Sequence, residues 1–173
     1  MEPGILNMEL VFPAMEHKKA AWDYRQEHID MGESHIHGSR GLIRAEDYER
    51  WLESVVLAQT VVPDDSVTGA VYFAIVDKKI VGAIAVRDHL NEELAVSGGH
   101  IGYGIRPSER RKGYGSKMLA LALDKCREKG MEKVLITCDK DNLASARTAI
   151  SNGGVLEDEI TEESGNIIQR YWI

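Results

Sequence analysis

Hydrophobic positions along this chain follow two periods, and the switches between them mark out its elements. Leu10, Val11 and Phe12 form a short strand closed by Pro13. Met15 to Ile29 then reads as a helix with Ala21 and Tyr24 on one face, and Gly32 to Gly41 is a loop by composition. From Ala45 to Leu57, the residues Tyr48, Trp51, Leu52 and Val55 recur at helical spacing, which directs these aromatics into a core. Pro63-Asp64-Asp65 ends that helix. Val71 to Val76 and Ile80 to Val86 are strands joined by Asp77-Lys78-Lys79, an antiparallel hairpin. A polar connection at Asn91-Glu92-Glu93 and the Gly98-Gly99 pair lead to a further strand from His100 to Ile105.

The second half repeats the switch. A helix carrying Leu119, Ala122, Leu123 and Cys126 on one side stops at Gly130, a residue suited to the left-handed position beyond a helix end. Val134 to Cys138 is almost continuously apolar, as a strand covered on both faces requires. Asp141-Asn142 opens a short helix with Leu143, Ala146 and Ile150, ended by Asn152-Gly153-Gly154. Strands at Val155 to Ile160 and Asn166 to Ile173 complete the order. No internal repeat or low-complexity tract interrupts it.

Composition narrows the class. A chain of 173 residues with 43% hydrophobic content buries a substantial core, so residues 1–173 are expected to form a single domain. Met1 to Asn7 lacks the cationic start and apolar stretch of a signal peptide, and no segment approaches the roughly 20 apolar residues of a membrane span. The expected location is cytoplasmic, with no membrane partner. Cys126 and Cys138 fall in a helix and a strand and read as reduced core residues. A net charge of −7 argues against nucleic acid as a partner. His35 and His37 lie in the loop without further ligands at metal-binding spacing, so no metal is expected.

Positive charge is instead concentrated at one joint. The run from Gly104 to Leu119 takes a strand into a turn bearing Arg110, Arg111 and Lys112, punctuated by Gly113 and Gly115, and then directly into a helix. Unpaired N–H groups and the positive end of the helix dipole stabilise an anion at such a start. Glycines let backbone close around it, and arginine grips phosphate oxygens in pairs. The expected ligand is a diphosphate. No string of the P-loop form occurs, and a dinucleotide fingerprint would need a small residue where Met118 stands.

Arg110, Gly113 and Gly115 fill the pattern Arg/Gln-x-x-Gly-x-Gly/Ala, which resembles the acetyl-CoA pyrophosphate loop of the GCN5-related N-acetyltransferases (GNAT). The order of elements is similar to that family over essentially the whole chain, and Asn142-Leu143-Ala144-Ser145 looks like the helix start whose Asn and small polar residue approach the pantetheine and sulfur of CoA. The resemblance implies an α/β (α+β) fold, a central mixed but mostly antiparallel sheet flanked by helices. It implies acetyl-CoA as cosubstrate and acetyl transfer to a primary amine of a small molecule, amino acid or peptide. A homodimer is compatible with it. In the family the fourth and fifth strands splay and pantetheine pairs with exposed backbone in the gap. The corresponding cofactor residues here are Tyr103, Ile105, Arg110, Arg111, Lys112, Gly113, Tyr114, Gly115, Ser116, Asn142 and Ser145. The Tyr103 backbone N–H would meet the thioester oxygen, where negative charge grows.

The chain departs from the family at two chemical positions. The tyrosine that often serves as general acid would fall at Ala149, and the fourth-strand glutamate that serves some members as base falls at Gly99. His100 is the nearest titratable candidate for the base, against the alternative that it only hydrogen-bonds within the sheet. The general acid stays unassigned. These departures keep open a noncatalytic acyl-CoA-binding module, whereas a Rossmann-type enzyme needs more parallel strand–helix units than the chain supplies.

Overall fold

The computed structural model describes residues 7–173. Strand β1 (Glu9–Val11) is followed by helix α1 (Lys18–Asp30), α2 (Tyr48–Leu57), the hairpin β2 (Gly69–Val76) and β3 (Lys79–Arg87), α3 (Glu92–Val96) and β4 (Ile101–Ile105). The chain continues through α4 (Tyr114–Glu128), β5 (Leu135–Asp139), α5 (Leu143–Ser151), β6 (Val155–Thr161) and β7 (Ile167–Trp172). Strands β1 to β4 form one sheet in sequence order and β5-β7-β6 a second, every ladder antiparallel. The class is the expected one, antiparallel sheet flanked by helices, but the sheet is divided where the sequence reading expected a single mixed one.

That division places β4 and β5 as facing edges. They touch at one end only. The His100 N–H donates to the Leu135 carbonyl at 2.9 Å, the Leu135 N–H donates to His100 Nδ1 at 2.9 Å, and the Gly98 N–H donates to Thr137 Oγ1 at 2.8 Å. Beyond this seam no ladder joins the two strands among the described residues, so each keeps a row of backbone groups without strand partners.

The helices cover opposite faces. Helices α1 and α2 bury Tyr24, Tyr48, Trp51 and Val55 with Phe73, Ile80 and Ala83 of the hairpin. Helix α4 buries Met118, Leu119, Ala122 and Cys126 against Ile84, Val86 and Ile136. Strand β3 is therefore apolar on both sides, as its near-continuous sequence requires.

Local chemistry sets the ends and corrects some expectations. Helix α2 begins at Tyr48 rather than Ala45 because Asp47 caps it, accepting from the Arg50 N–H at 2.9 Å. The polar connection at Asn91 contains the short helix α3, capped in the same way by the Asn91 side chain on the Leu94 N–H. Helix α5 buries Ala146 and Ala149, while Leu143 and Ile150, expected on its apolar face, are 60% and 55% exposed. Both cysteines are free and buried, as read from the sequence. Among the described residues no helix is long and apolar enough to cross a membrane. The expectations for Met1 to Leu6 lie outside the described residues.

Candidate active site

Hydrogen-bond parity along β4 decides which backbone groups face the gap. Arg87 N–H donates to the His100 carbonyl at 2.7 Å and Arg106 N–H to the Val81 carbonyl at 2.8 Å. In an antiparallel ladder such groups alternate, so residues 102 and 104 turn to β3, and Tyr103 and Ile105 turn their N–H groups toward the gap. These are the two positions expected to meet a thioester and its pantetheine.

A groove of about 530 Å³ runs from there to the glycine turn. Ten of the expected cofactor residues line it, from Tyr103 and Ile105 through Arg110, Arg111, Gly113, Tyr114, Gly115 and Ser116 to Asn142 and Ser145. Two expectations fall elsewhere. Lys112 is outside the lining and pairs with Glu109 at 2.9 Å, and His100 is buried in the seam. Tyr114 points its ring into the core, so its contribution to the groove is backbone.

The turn is built to present N–H groups. Arg111 at φ 61 and Gly113 at φ 84 are both left-handed, and α4 starts at the next residue. Alternating handedness of this kind points successive amides to one side and makes an anion-binding concavity. A Cβ placed on Gly115 would meet Thr148 Oγ1 at 3.6 Å and Ile105 Cγ1 at 3.8 Å, ordinary contacts, so the free protein has room for a side chain there.

Charge at the turn is braced from α1, a feature the sequence reading missed. Glu27 accepts from Arg106 Nε at 2.5 Å and from the Ser108 N–H at 2.7 Å. Burial opposes ionisation of Glu27, but the Ser108 hydrogen bonds and Arg106 prevail and pull its pKa down to about 2. Glu33 binds Arg110 at 2.7 Å and takes His28 Nδ1 at 2.6 Å. Arg110 also donates to the Ile105 carbonyl at 3.1 Å. Its guanidinium is thus fixed before any ligand arrives, whereas Arg111 is exposed and makes no ion pair among the described residues. The partners of Glu27 and Glu33 at the turn lie 77 to 81 residues away in sequence, so no local pattern signals them.

At the other end of the groove the Asn142 side chain caps α5, accepting from the Ser145 N–H at 3.1 Å. The Ser145 hydroxyl meets the Tyr103 hydroxyl at 2.9 Å. Burial raises the Tyr103 pKa despite hydrogen bonds from Ser145 and Thr148 that lower it, so the phenol keeps its proton at neutral pH. Ala149, where the family's tyrosine would stand, is fully buried.

His100 requires a correction. Its Nδ1 accepts from a backbone N–H, which can only donate, so the ring proton of the neutral form is on Nε2. That imidazole has no lone pair to offer an ammonium. Burial lowers its pKa, and Arg87 and His89 add to the shift. Gly99 cannot carry the family's glutamate either: it sits at φ 61, and a Cβ there would strike the Leu135 carbonyl.

A sheet opened between two strands, with a glycine-punctuated helix start at one end of the gap, is the architecture that the sequence resemblance implies for an acetyltransferase. Residues 18–155 match the family model of the acetyltransferase (GNAT) domain, and the chain belongs to that family. No curated protein matches it. Among solved structures, the ribosomal-protein-S5-alanine acetyltransferase from Vibrio fischeri is 15% identical, with a TM-score of 0.70 over 96% of this chain and 92% of that one. The microcin C7 self-immunity acetyltransferase MccE, solved with acetyl-CoA and AMP, is 16% identical, with a TM-score of 0.68 over 96% and 91%. The Salmonella typhimurium acetyltransferase that modifies the N-terminal serine of ribosomal protein L7/L12 is 16% identical, with a TM-score of 0.66 over 96% and 94%. At this identity the likeness establishes the fold.

Proposed function

We propose that this acetyltransferase uses acetyl-CoA and transfers the acetyl group directly to a primary amine, with both substrates bound together. The observation that carries the reading is the unpaired β4 edge, where the Tyr103 and Ile105 N–H groups face a gap continuous with the glycine turn. The lining suits such a ligand, with the glycine turn at one end of the groove and Ile105 and Ala144 further along.

Acetyl-CoA supplies an activated carbonyl and a thiol leaving group. The N–H groups at the start of α4, with Arg111, hold the pyrophosphate, and Ile105 pairs with the pantetheine arm. The Tyr103 N–H stabilises the oxygen of the tetrahedral intermediate. As the amine nitrogen bonds to the carbonyl carbon and the carbon–sulfur bond breaks, the Tyr103 hydroxyl, relayed through Ser145, gives a proton to the departing sulfur. The proton released by the amine passes to solvent, and solvent returns one to the Tyr103 phenolate through the same Ser145 relay. Positioning both reactants in one gap supplies much of the remaining rate. Two buried free cysteines suit the cytoplasm as its compartment.

The test is thiol release from acetyl-CoA across a panel of amines, with acetyl-CoA binding followed by calorimetry. Amine-dependent thiol release supports the transferase. Tight binding with no release for any amine would favour the noncatalytic module.

A further inference from the structure

A second cavity, of about 290 Å³, shares Tyr103, Asn142 and Ser145 with the groove and extends from them to the loop at His37 and Gly38 and to Arg87. Its position makes it the acceptor's chamber if the acetyl group is delivered along β4. Arg87 is the feature that the fold alone does not explain. It is half-buried at the end of β3, and its Nη1 donates to the carbonyls of Gly98 and Gly99 at 3.0 and 2.9 Å. Its Nε and Nη2 have no acceptor among the described residues, and Nη2 lies against Gly102, which has no side chain to cover it.

The other half-buried arginines are occupied in different ways: Arg25 lies over the Trp22 ring and gives its Nε to the Leu42 and Ile43 carbonyls, while two others meet carboxylates. Arg106 is met by Glu27 and Arg170 by Asp158. Among the described residues no carboxylate forms an ion pair with Arg87; Glu93, which lines an adjoining cavity of about 250 Å³ with it, acts on it only at longer range. The edge left open to the chamber, Nε with Nη2, is the one that binds a carboxylate through two parallel hydrogen bonds. The same chamber carries one carboxylate among its described residues, Asp139, whose Oδ1 accepts from Asn166 at 2.8 Å. The chamber therefore presents a cation and an anion within a volume suited to a small molecule.

Resting on the transferase reading above, we infer that the acceptor is an amine that also bears a carboxylate, a free amino acid, with its carboxylate on the open edge of Arg87 and its ammonium drawn toward Asp139. Backbone carbonyls hold Nη1 so that the fork is oriented before substrate binds.

The experiment compares amino acids with their own amides as acceptors for the native enzyme, measured by thiol release, so that no variant need fold. At least a tenfold higher kcat/KM for the carboxylated member of each pair is expected. In Arg87→Gln the preference should vanish through a raised acceptor KM, with the KM for acetyl-CoA unchanged, and Arg87→Lys should recover part of it. Amides accepted as well as the amino acids would overturn the inference while leaving the transferase intact. Thiol release with no amine at all would overturn both.

Discussion

The Tyr103 hydroxyl on β4 and the Ser145 hydroxyl on α5 lie 2.9 Å apart across the gap between the two sheets, and both residues line the groove and the chamber beyond it. A phenol that burial keeps protonated is a proton donor rather than a base at neutral pH. Tyr103→Phe retains the ring and removes the proton. Its kcat should fall by about 10²-fold, the lower range for general acid catalysis, with the KM for acetyl-CoA nearly unchanged. Loss of one hydrogen bond should cost about 1 kcal/mol in chemical denaturation. An unchanged kcat would remove Tyr103 from proton transfer.

Gly115 separates ligand binding from folding. The free protein has space for a side chain there, a carboxylate in the first turn of a helix is favoured by the dipole, and glycine is a poor helix former by about 1 kcal/mol. Gly115→Asp should therefore keep or raise the melting temperature. The same carboxylate sits where phosphate oxygens are expected, and calorimetry should show at least a tenfold loss of CoA affinity, about 1.4 kcal/mol. Loss of stability with affinity retained would place the pyrophosphate elsewhere.

The parts of this protein legible in the sequence are those governed by neighbours along the chain. The turn from Arg110 to Gly115, the cap at Asn142 and the two-sided burial of β5 follow from residue types within a few positions of one another. The bracing of the turn by Glu27 and Glu33 was not legible, because a glutamate on an amphipathic helix looks the same whether it meets solvent or an arginine 79 residues away. For His100 the sequence left two readings open, a base or a hydrogen bond within the sheet, and could not choose between them for a related reason. Its tautomer is set by a backbone N–H from a different sheet, and only the junction of β4 with β5 brings that group within reach. Arg87 ends an ordinary strand pattern, and its lack of an ion pair among the described residues is visible only once the neighbouring carboxylates have been located.

Glu27 should make stability fall in acid. Burial of Glu27 raises its pKa, but the Ser108 and Arg106 hydrogen bonds lower it to about 2. Because the folded value is depressed, the stabilisation is complete above the ordinary carboxylate pKa and disappears as pH falls through the folded one. The window runs from about pH 5 to about pH 2. Glu27→Gln should lose on the order of 2 kcal/mol at neutral pH and show a flatter urea-unfolding profile across that window. A variant with the same acid slope as the native protein would show that the Glu27 ion pair contributes nothing net.

His100 should reveal itself through stability rather than turnover. Protonating Nδ1 would break its bond to the Leu135 N–H, and burial, Arg87 and His89 all oppose the charged ring. The folded pKa is thus depressed below the usual value of about 6.5, so the unfolded chain binds more protons in that range and stability decreases as pH falls below it. His100→Gln removes this slope, because a glutamine does not titrate, and its side-chain oxygen can accept the Leu135 N–H and spare part of the seam. Urea denaturation at pH 7.5 and pH 5.5 should show a smaller difference for the variant than for the native protein. Meanwhile kcat/KM measured against pH should keep its shape once the ionisation of the acceptor amine is divided out, since a ring with its only lone pair already engaged removes no substrate proton. Disappearance of a pH-dependent limb in His100→Gln, with stability untouched, would reverse this assignment and return His100 to the role of base.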